Sequence, residues 1–376
     1  MIQRLCKTIF LMTTVFLLNV LATNQSSEDI QKIVNSYAME HNQTGILLLV
    51  DKNGSAKHFS AGYANRETKK KIQTDDLFEI GSASKLFTAM AIFQLIEAKK
   101  ISLDTSLGVL YPKGKIRKLA NLKGQNYWDE VTVGMLLNHT SGFVDYLNIY
   151  HDDAKAIKIF AGKSKVYNYD TIIDLALNAG DAEFRPGSKF AYSNTGYVIL
   201  GDIISKVSGI PWRDYIQKNI FDKAGVKHTY FGTLIPKAMR DQMPQGYNAY
   251  KPTYMPMALA DSAGEVISTL DDLSRLITMW KDGAFYKKKE TLQRQLTQGF
   301  HLMSPYATNL SYGYGTMKIE DFYGHGGQTF SFQSYVTINP KTNTTYIIGV
   351  NDAQVGSMDL FMKIEDISFK PVIKKP

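Results

Sequence analysis

Strand-like patterning in this chain sits at its two ends and is missing from its middle. Gly45–Val50 reads GILLLV, and Asp51-Lys52-Asn53-Gly54 supplies a hairpin turn to a return strand at His58–Tyr63. Strand chemistry resumes only at Ser311–Ile319, at Tyr323–Gly324 around a Gly pair, at Phe332–Ile338 and at Thr344–Asn351. Asn339-Pro340-Lys341-Thr342-Asn343 forms a turn between the last two. Between these ends, helical spacing of apolar residues marks Leu86–Ala98, Val133–Asn138, Thr171–Asn178, Tyr197–Ser208, Trp212–Ile220 and Leu270–Trp280. Ser26–Glu40, with a Ser cap and an acidic first turn, reads as an amphipathic helix ahead of the first strand. Two distant strand sets bury their apolar faces best in one sheet, so the expectation is a sheet assembled from both chain ends with a helical insertion. Residues 26–102 and 258–376 would then form a discontinuous α/β domain, and 103–257 a mostly helical inserted region.

The first 22 residues follow another pattern. Arg4 and Lys7 precede an apolar stretch from Ile9 to Leu21, and Val20-Leu21-Ala22 places small or β-branched residues before a cleavage point near Ala22. This predicts a secretory signal peptide, hence a secreted or periplasmic product with no stable membrane insertion after cleavage. The alternative, an uncleaved anchor, needs a longer apolar run of about 20 residues. Cleavage would remove Cys6, the single cysteine, and leave no thiol for a disulfide, a thiolate metal site or a cysteine nucleophile.

The formal net charge of +8 is scattered, with no basic stripe interleaved with aromatics, which argues against nucleic acid as a partner. The seven His include no His-Glu-x-x-His or close pair, so neither a metal nor another cofactor is expected.

Chemistry enters at Ser82-Ala83-Ser84-Lys85, the one Ser-x-x-Lys in the chain. Residues three apart share a helix face, roughly 5–6 Å apart at Cβ. A serine hydroxyl needs a neighbouring base to become a nucleophile, and a lysine serves if burial or nearby cations lower its pKa. A helix start at the serine adds backbone N–H groups for a developing oxyanion. Alone the tetrad carries little weight, because about one such match is expected by chance at average residue frequencies.

A second proton-transfer group could come from Tyr-x-Asn, which occurs three times: Tyr63–Asn65, Tyr146–Asn148 and Tyr192–Asn194. A tyrosine hydroxyl beside a lysine ammonium can share its proton, and the Asn amide can hold a substrate carbonyl. The first lies in the hairpin and the second in a loop with nothing evident to fix it. The third sits in a turn between Phe184-Arg185-Pro186-Gly187-Ser188 and Thr195-Gly196-Tyr197.

Four blocks in order make the pattern specific: GSASK, VTVGMLLNHTSG (Val131–Gly142), FRPGSKFAYSNTGYVILGDIISKVSG (Phe184–Gly209) and YGHGGQTFSF (Tyr323–Phe332). Together they resemble the serine β-lactamase and penicillin-recognising superfamily, in the branch of class C β-lactamases, D-Ala-D-Ala carboxypeptidases, D-aminopeptidases and related esterases. The likeness runs from about Asn42 to Asn351. It implies a β-lactamase/transpeptidase-like α/β fold, an antiparallel sheet with helices on both faces. It also implies Ser82 as nucleophile, with Lys85 and Tyr192 as catalytic partners. By the same resemblance Asn194, His325, Gly327, Gln328 and Thr329 bind substrate, and the Gln328 and Ser82 N–H groups form an oxyanion hole. His325 would supply a donor or positive charge near a substrate carboxylate. His139 is expected to be structural and Ser84 to pack or cap, and Glu265 follows a family turn that lines the site.

His325-Gly326-Gly327 departs from the Lys-Thr-Gly or His-Thr-Gly that the resemblance would place there: its middle residue is Gly326. The lost hydroxyl argues against a free C-terminal carboxylate or a β-lactam as best substrate, although Thr329 could substitute. The resulting expectation is a serine hydrolase acting through an acyl-enzyme on a small-molecule or peptide substrate. A D-Ala-D-Ala carboxypeptidase-like or D-amino-acid-specific peptidase comes first. A carboxylesterase or weak class C-like β-lactamase is the alternative. A penicillin-binding-like scaffold with little turnover is the reading from another class. Oligomeric state is not legible.

Overall fold

The computed structural model describes residues 26–151, 167–304 and 307–368, so the expected leader over 1–22 lies outside the described residues. Its centre is one eight-stranded sheet that takes strands from both ends of the chain. The strands are β1 (Ile46–Lys52), β2 (Ser55–Ala61), β3 (His301–Ser304), β4 (Ala307–Tyr312), β5 (Met317–Ile319), β6 (Phe322–Gln328), β7 (Gln333–Asn339) and β8 (Thr344–Val350). Their order is β3-β4-β5-β6-β7-β8-β1-β2, antiparallel throughout, with Ile46 opposite Val350 where the two chain ends meet.

The GILLLV run is unbroken because β1 is buried on both faces. Leu47 and Leu49 enter one core, while Ile46, Leu48 and Val50 enter the other. Side chains of a strand alternate between faces, so covering both requires apolar residues at every position. Truncating Leu48 to Ala would cost about 2–5 kcal/mol.

The principal helices are α1 (Ser27–Glu40), α2 (Lys85–Glu97), α3 (Tyr169–Ala179), α4 (Asn194–Ser208), α5 (Leu270–Lys281) and α6 (Ser357–Glu365). α1 and α6 cover one face of the sheet, and Ser26 starts α1 with a capping box to Asp29. α5 lies on the other face, beside the core that α2 and α4 share. Thr269 caps α5 by accepting the Asp272 N–H at 3.4 Å.

One expectation needs correction, and one strand went unread. Ser311–Ile319 is two strands, β4 and β5, separated by a turn in which Gly315 has φ +75°. The strand His301–Ser304 had no sequence signal strong enough to be read. Among the described residues, no helix is long and apolar enough to cross a membrane.

Candidate active site

The segment that carries Ser82 is a short strand, Phe78–Glu79, followed by a 3₁₀ turn, Gly81–Ser84, that runs directly into α2. Ser84 holds that turn: its hydroxyl donates to Gly81 O at 2.7 Å and accepts the Val266 N–H at 3.1 Å. Ser82 is left partly exposed at the mouth of a cleft, and Lys85 follows it into full burial. Lys85 Nζ then lies 3.0 Å from Ser82 Oγ, 2.7 Å from Asn194 Oδ1 and 2.7 Å from Ala263 O. Every partner of the amine is an oxygen.

Asn194 is the first residue of α4, and its amide is oriented from both sides. Oδ1 accepts from Lys85, while Nδ2 donates to Asp145 Oδ2 at 2.8 Å. Asp145 also accepts the N–H groups of Asn194 (3.2 Å) and Leu147 (2.9 Å). A flipped amide would set Nδ2 against the amine and Oδ1 against the carboxylate, so the pair of partners fixes its orientation. This leaves one Nδ2–H as the group Asn194 can still offer a substrate. Asp145 was missed in the sequence, where it is a lone acid between Val144 and Tyr146.

Burial pulls the Lys85 amine well below its ordinary pKa, and the negative charge of Asp145 pushes it back up. Burial likewise raises Asp145, against its hydrogen bonds and the pull of Lys85. Tyr192 is held well above its ordinary value by burial, with its hydrogen bond to the Ser82 side chain opposing. Burial brings the amine to about 7, where it can lose and regain a proton near neutrality; the phenol stays protonated.

Tyr192 is placed by the block Asn138–Gly142. Ala191 N donates to His139 O at 3.0 Å, Ser193 N to His139 Nδ1 at 3.1 Å, and Glu183 N to Gly142 O at 2.8 Å. The His139 ring packs on Tyr192 with centroids 4.1 Å apart. Its Nδ1 acts as acceptor and burial holds its pKa well down, so His139 is a neutral bed for Tyr192. Lys85 Nζ lies 5.1 Å from the Tyr192 ring centroid.

The other Tyr-x-Asn pairs stand elsewhere in the network. Asn65 accepts from Thr68 in a surface turn. Tyr146, expected to be unanchored, is fully buried, and its hydroxyl donates to Leu259 O at 2.6 Å. Its ring lines the cleft beside Ser82.

The sheet approaches Ser82 through the end of β6. A Cβ on Gly81, whose φ is +51°, would come within 2.7 Å of Gln328 N, and one on Gly327 would lie 1.8 Å from Ile80 O. Both glycines are therefore required by the close approach of two backbones, which brings the Gln328 amide alongside the turn that carries Ser82. Gly327 is a contact point between chain segments rather than a group offered to substrate.

Two expectations for this wall do not hold. His325 is buried, and burial together with Lys85 takes its pKa down to about 3. Its Nδ1 donates to Gly326 O and its Nε2 lies 2.8 Å from the Tyr312 hydroxyl, so both ring nitrogens are engaged inside the protein, and the lowered pKa leaves the ring neutral, with no positive charge for a carboxylate. The Thr329 hydroxyl donates to Glu79 Oε2 at 2.6 Å and accepts the N–H groups of Ser331 and Phe332, so it cannot replace the missing hydroxyl. Glu265, just past the turn that lines the site, is fully buried, ion-paired to Arg213 and bonded to Thr233.

The cleft is lined by Ser82, Tyr146, Leu147, Asn194, Met255, Ala260, Ala263, Gln328 and Thr329 with Gly81 and Gly264. Among the described residues lining it there is no Lys, Arg or His side chain.

The family model described as Beta-lactamase matches residues 30–364. Penicillin-binding protein 4* of Bacillus subtilis is 34% identical over 231 residues, covering 60% of this chain and 47% of that protein. The chain spans about half to two thirds of the length of the curated relatives it matches. Among solved structures, D-amino acid amidase from Ochrobactrum anthropi SV3 superposes with a TM-score of 0.73 at 23% identity, covering 90% of this chain and 94% of that one. A D-stereospecific amidohydrolase from Streptomyces sp. gives a TM-score of 0.76 at 22% identity, covering 89% and 97%.

Proposed function

The chain belongs to the Beta-lactamase family of serine hydrolases, and on that premise we propose that it cleaves amide or ester bonds through an acyl-enzyme on Ser82, with D-amino-acid amides or peptides as its preferred substrate class. The observation that carries the reading is the fully buried Lys85 Nζ, 3.0 Å from Ser82 Oγ and hydrogen-bonded otherwise to two oxygens, Asn194 Oδ1 and Ala263 O.

In the proposed reaction neutral Lys85 takes the Ser82 proton as Oγ bonds to the substrate carbonyl carbon. The carbonyl oxygen becomes an oxyanion between the Ser82 and Gln328 amides. Tyr192 donates its proton to the departing amine or alkoxide, the C–N or C–O bond breaks, and Lys85 returns a proton to Tyr192. Water then attacks the acyl-ester, giving up a proton to the same pair, and Ser82 is released. Asn194 and Asp145 hold the amine in place throughout.

Substrate preference follows from the cleft's charge. With His325 neutral, Gly326 bare and the Thr329 hydroxyl engaged, no described side chain lining the cleft offers a cation to a free carboxylate. That disfavours the carboxypeptidase half of the reading and favours uncharged leaving groups. Tyr146, Leu147 and Met255 suit an apolar acyl side chain. The likeness to the two D-amino-acid-acting structures supports the same class. A leader over 1–22 would place the activity outside the cytoplasm.

A panel tests the reading: D-phenylalanine amide, a D-Ala-D-Ala peptide, a nitrophenyl ester and a chromogenic cephalosporin, each with Ser82→Ala as control. The expected order puts the D-amide or the ester first and the free-carboxylate peptide well behind. Fastest turnover of the cephalosporin or the D-Ala-D-Ala peptide would overturn the preference.

A further inference from the structure

Glu79 is a buried acid that the proton chemistry of Ser82, Lys85 and Tyr192 does not use. It lies on the strand Phe78–Glu79, which pairs with Val266–Ser268, and is 5% exposed. Its Oε2 accepts the hydroxyls of Thr329 at 2.6 Å and Ser331 at 3.1 Å. Those residues form the turn that begins directly after Gln328, closed by Thr329 N donating to Phe332 O at 2.9 Å. The carboxyl therefore reaches from the segment leading into Ser82 to the segment leading out of Gln328.

The same two segments touch at three further places. Ser334 Oγ donates to Ile80 O at 2.7 Å, and the bare backbones of Gly81 and Gly327 meet Gln328 and Ile80. Burying a carboxyl is unfavourable: burial pushes Glu79 up to about 7, with the Thr329 and Ser331 hydroxyls and Arg240 pulling it back. An apolar residue would fill the same space without that cost but could not hold two hydroxyls at once.

We propose that Glu79 is a positioning residue that locks the two oxyanion-hole amides, Ser82 N–H and Gln328 N–H, at their working separation by clasping the Thr329–Phe332 turn. The inference rests on the reading of Ser82 as nucleophile and of these amides as the hole. A misplacement of about 1 Å at such a site costs on the order of 10²-fold in rate, so the clasp has kinetic consequences that packing alone lacks.

The test compares the full chain with Glu79→Ala, Glu79→Gln, Thr329→Val and Ser82→Ala. Nitrophenyl ester hydrolysis supplies kcat and KM, and phenylboronic acid, which bonds Ser82 Oγ and puts an oxygen in the hole, supplies an inhibition constant. Glu79→Ala and Thr329→Val are expected to lower kcat about 10–100-fold with KM changed less than about 3-fold. Boronate affinity should weaken by a similar factor. Glu79→Gln, which keeps an acceptor oxygen, should recover to within about 3-fold of the parent. Parent-like kcat and boronate affinity in Glu79→Ala or Thr329→Val would overturn the proposal, whatever their melting temperatures. So would a fall in kcat without a change in boronate affinity. If Glu79→Ala does not fold, the nearly isosteric Thr329→Val decides. Retained activity in Ser82→Ala would instead defeat the nucleophile reading, and that outcome is separate from any result at Glu79.

Discussion

On the helical side of the cleft Lys85, Asn194 and Asp145 meet side chain to side chain, with Tyr192 beside them; on the sheet side β6 reaches the nucleophile turn with little but backbone. The first wall carries hydrogen bonds of 2.7 to 3.2 Å that join α2, α4 and the loop at Asp145. The second brings Gly326, Gly327 and Gln328, backed by a His325 that is neutral and sealed. The difference separates two tasks. Proton transfer needs particular side chains at particular pKa values, whereas an oxyanion needs N–H groups that any residue can supply if the chain is held close. Recognition of a charged substrate group would belong to the second wall, and among the described residues lining the cleft no Lys, Arg or His side chain stands there to perform it.

The largest expected effect is on the helical wall. Lys85→Ala should lower kcat/KM on a nitrophenyl ester by about 10²–10⁴-fold. A loss under about 10-fold would mean that the amine is not the base and that the two walls are not divided as described.

Adjacent glycines on the sheet wall should behave oppositely. Gly327→Ala places a methyl 1.8 Å from Ile80 O and should cost about 10²–10³-fold in kcat by moving the Gln328 amide. At Gly326 the nearest atom to an added Cβ is 3.5 Å away, so Gly326→Ala should stay within about 3-fold of the parent. Equal effects at both positions would break the backbone account of this wall.

Asp145→Asn sharpens the electrostatics of the helical wall. The acid's charge favours the Lys85 ammonium, so its removal lowers the lysine's pKa further and makes the neutral base available at lower pH. The acid limb of the kcat/KM profile should move to lower pH. A move to higher pH would contradict the assignment of that limb to Lys85.

An effect on stability, with none predicted on the reaction at neutral pH, concerns His325. Its folded pKa of about 3 lies below the ordinary 6.5, so the unfolded chain takes a proton that the folded chain refuses. Stability is then lost as pH falls from 6.5 toward 3, by up to about 1.4 kcal/mol per pH unit from this group. The difference in unfolding free energy between the parent and His325→Gln should show that slope. A flat difference would mean that His325 is charged or solvated and could face a carboxylate.

Sequence legibility followed the same division. GILLLV announced a strand, and the strands at both ends announced a shared sheet, because period and location survive in one dimension. Ser82, Lys85 and Tyr192 were readable as a set only through four ordered blocks. Asp145 and Glu79 were not readable: each acts through partners far along the chain, Asn194 for one and Thr329 for the other, and a single acid among apolar neighbours looks like a turn residue or a strand end. The charge expected of His325 failed because burial sets it, and burial on β6 depends on Tyr312 and Tyr192 packing around the ring. Thr329 failed as a substrate group because its hydroxyl was claimed by an acid 250 positions away.

The account stands or falls on a covalent bond to Ser82. Intact-mass measurement of the full chain after incubation with a fluorescent penicillin should show one adduct of the reagent's mass on the parent and none on Ser82→Ala. An adduct of equal yield on Ser82→Ala, or no adduct on the parent together with ester and D-amide hydrolysis that Ser82→Ala leaves unchanged, would contradict it.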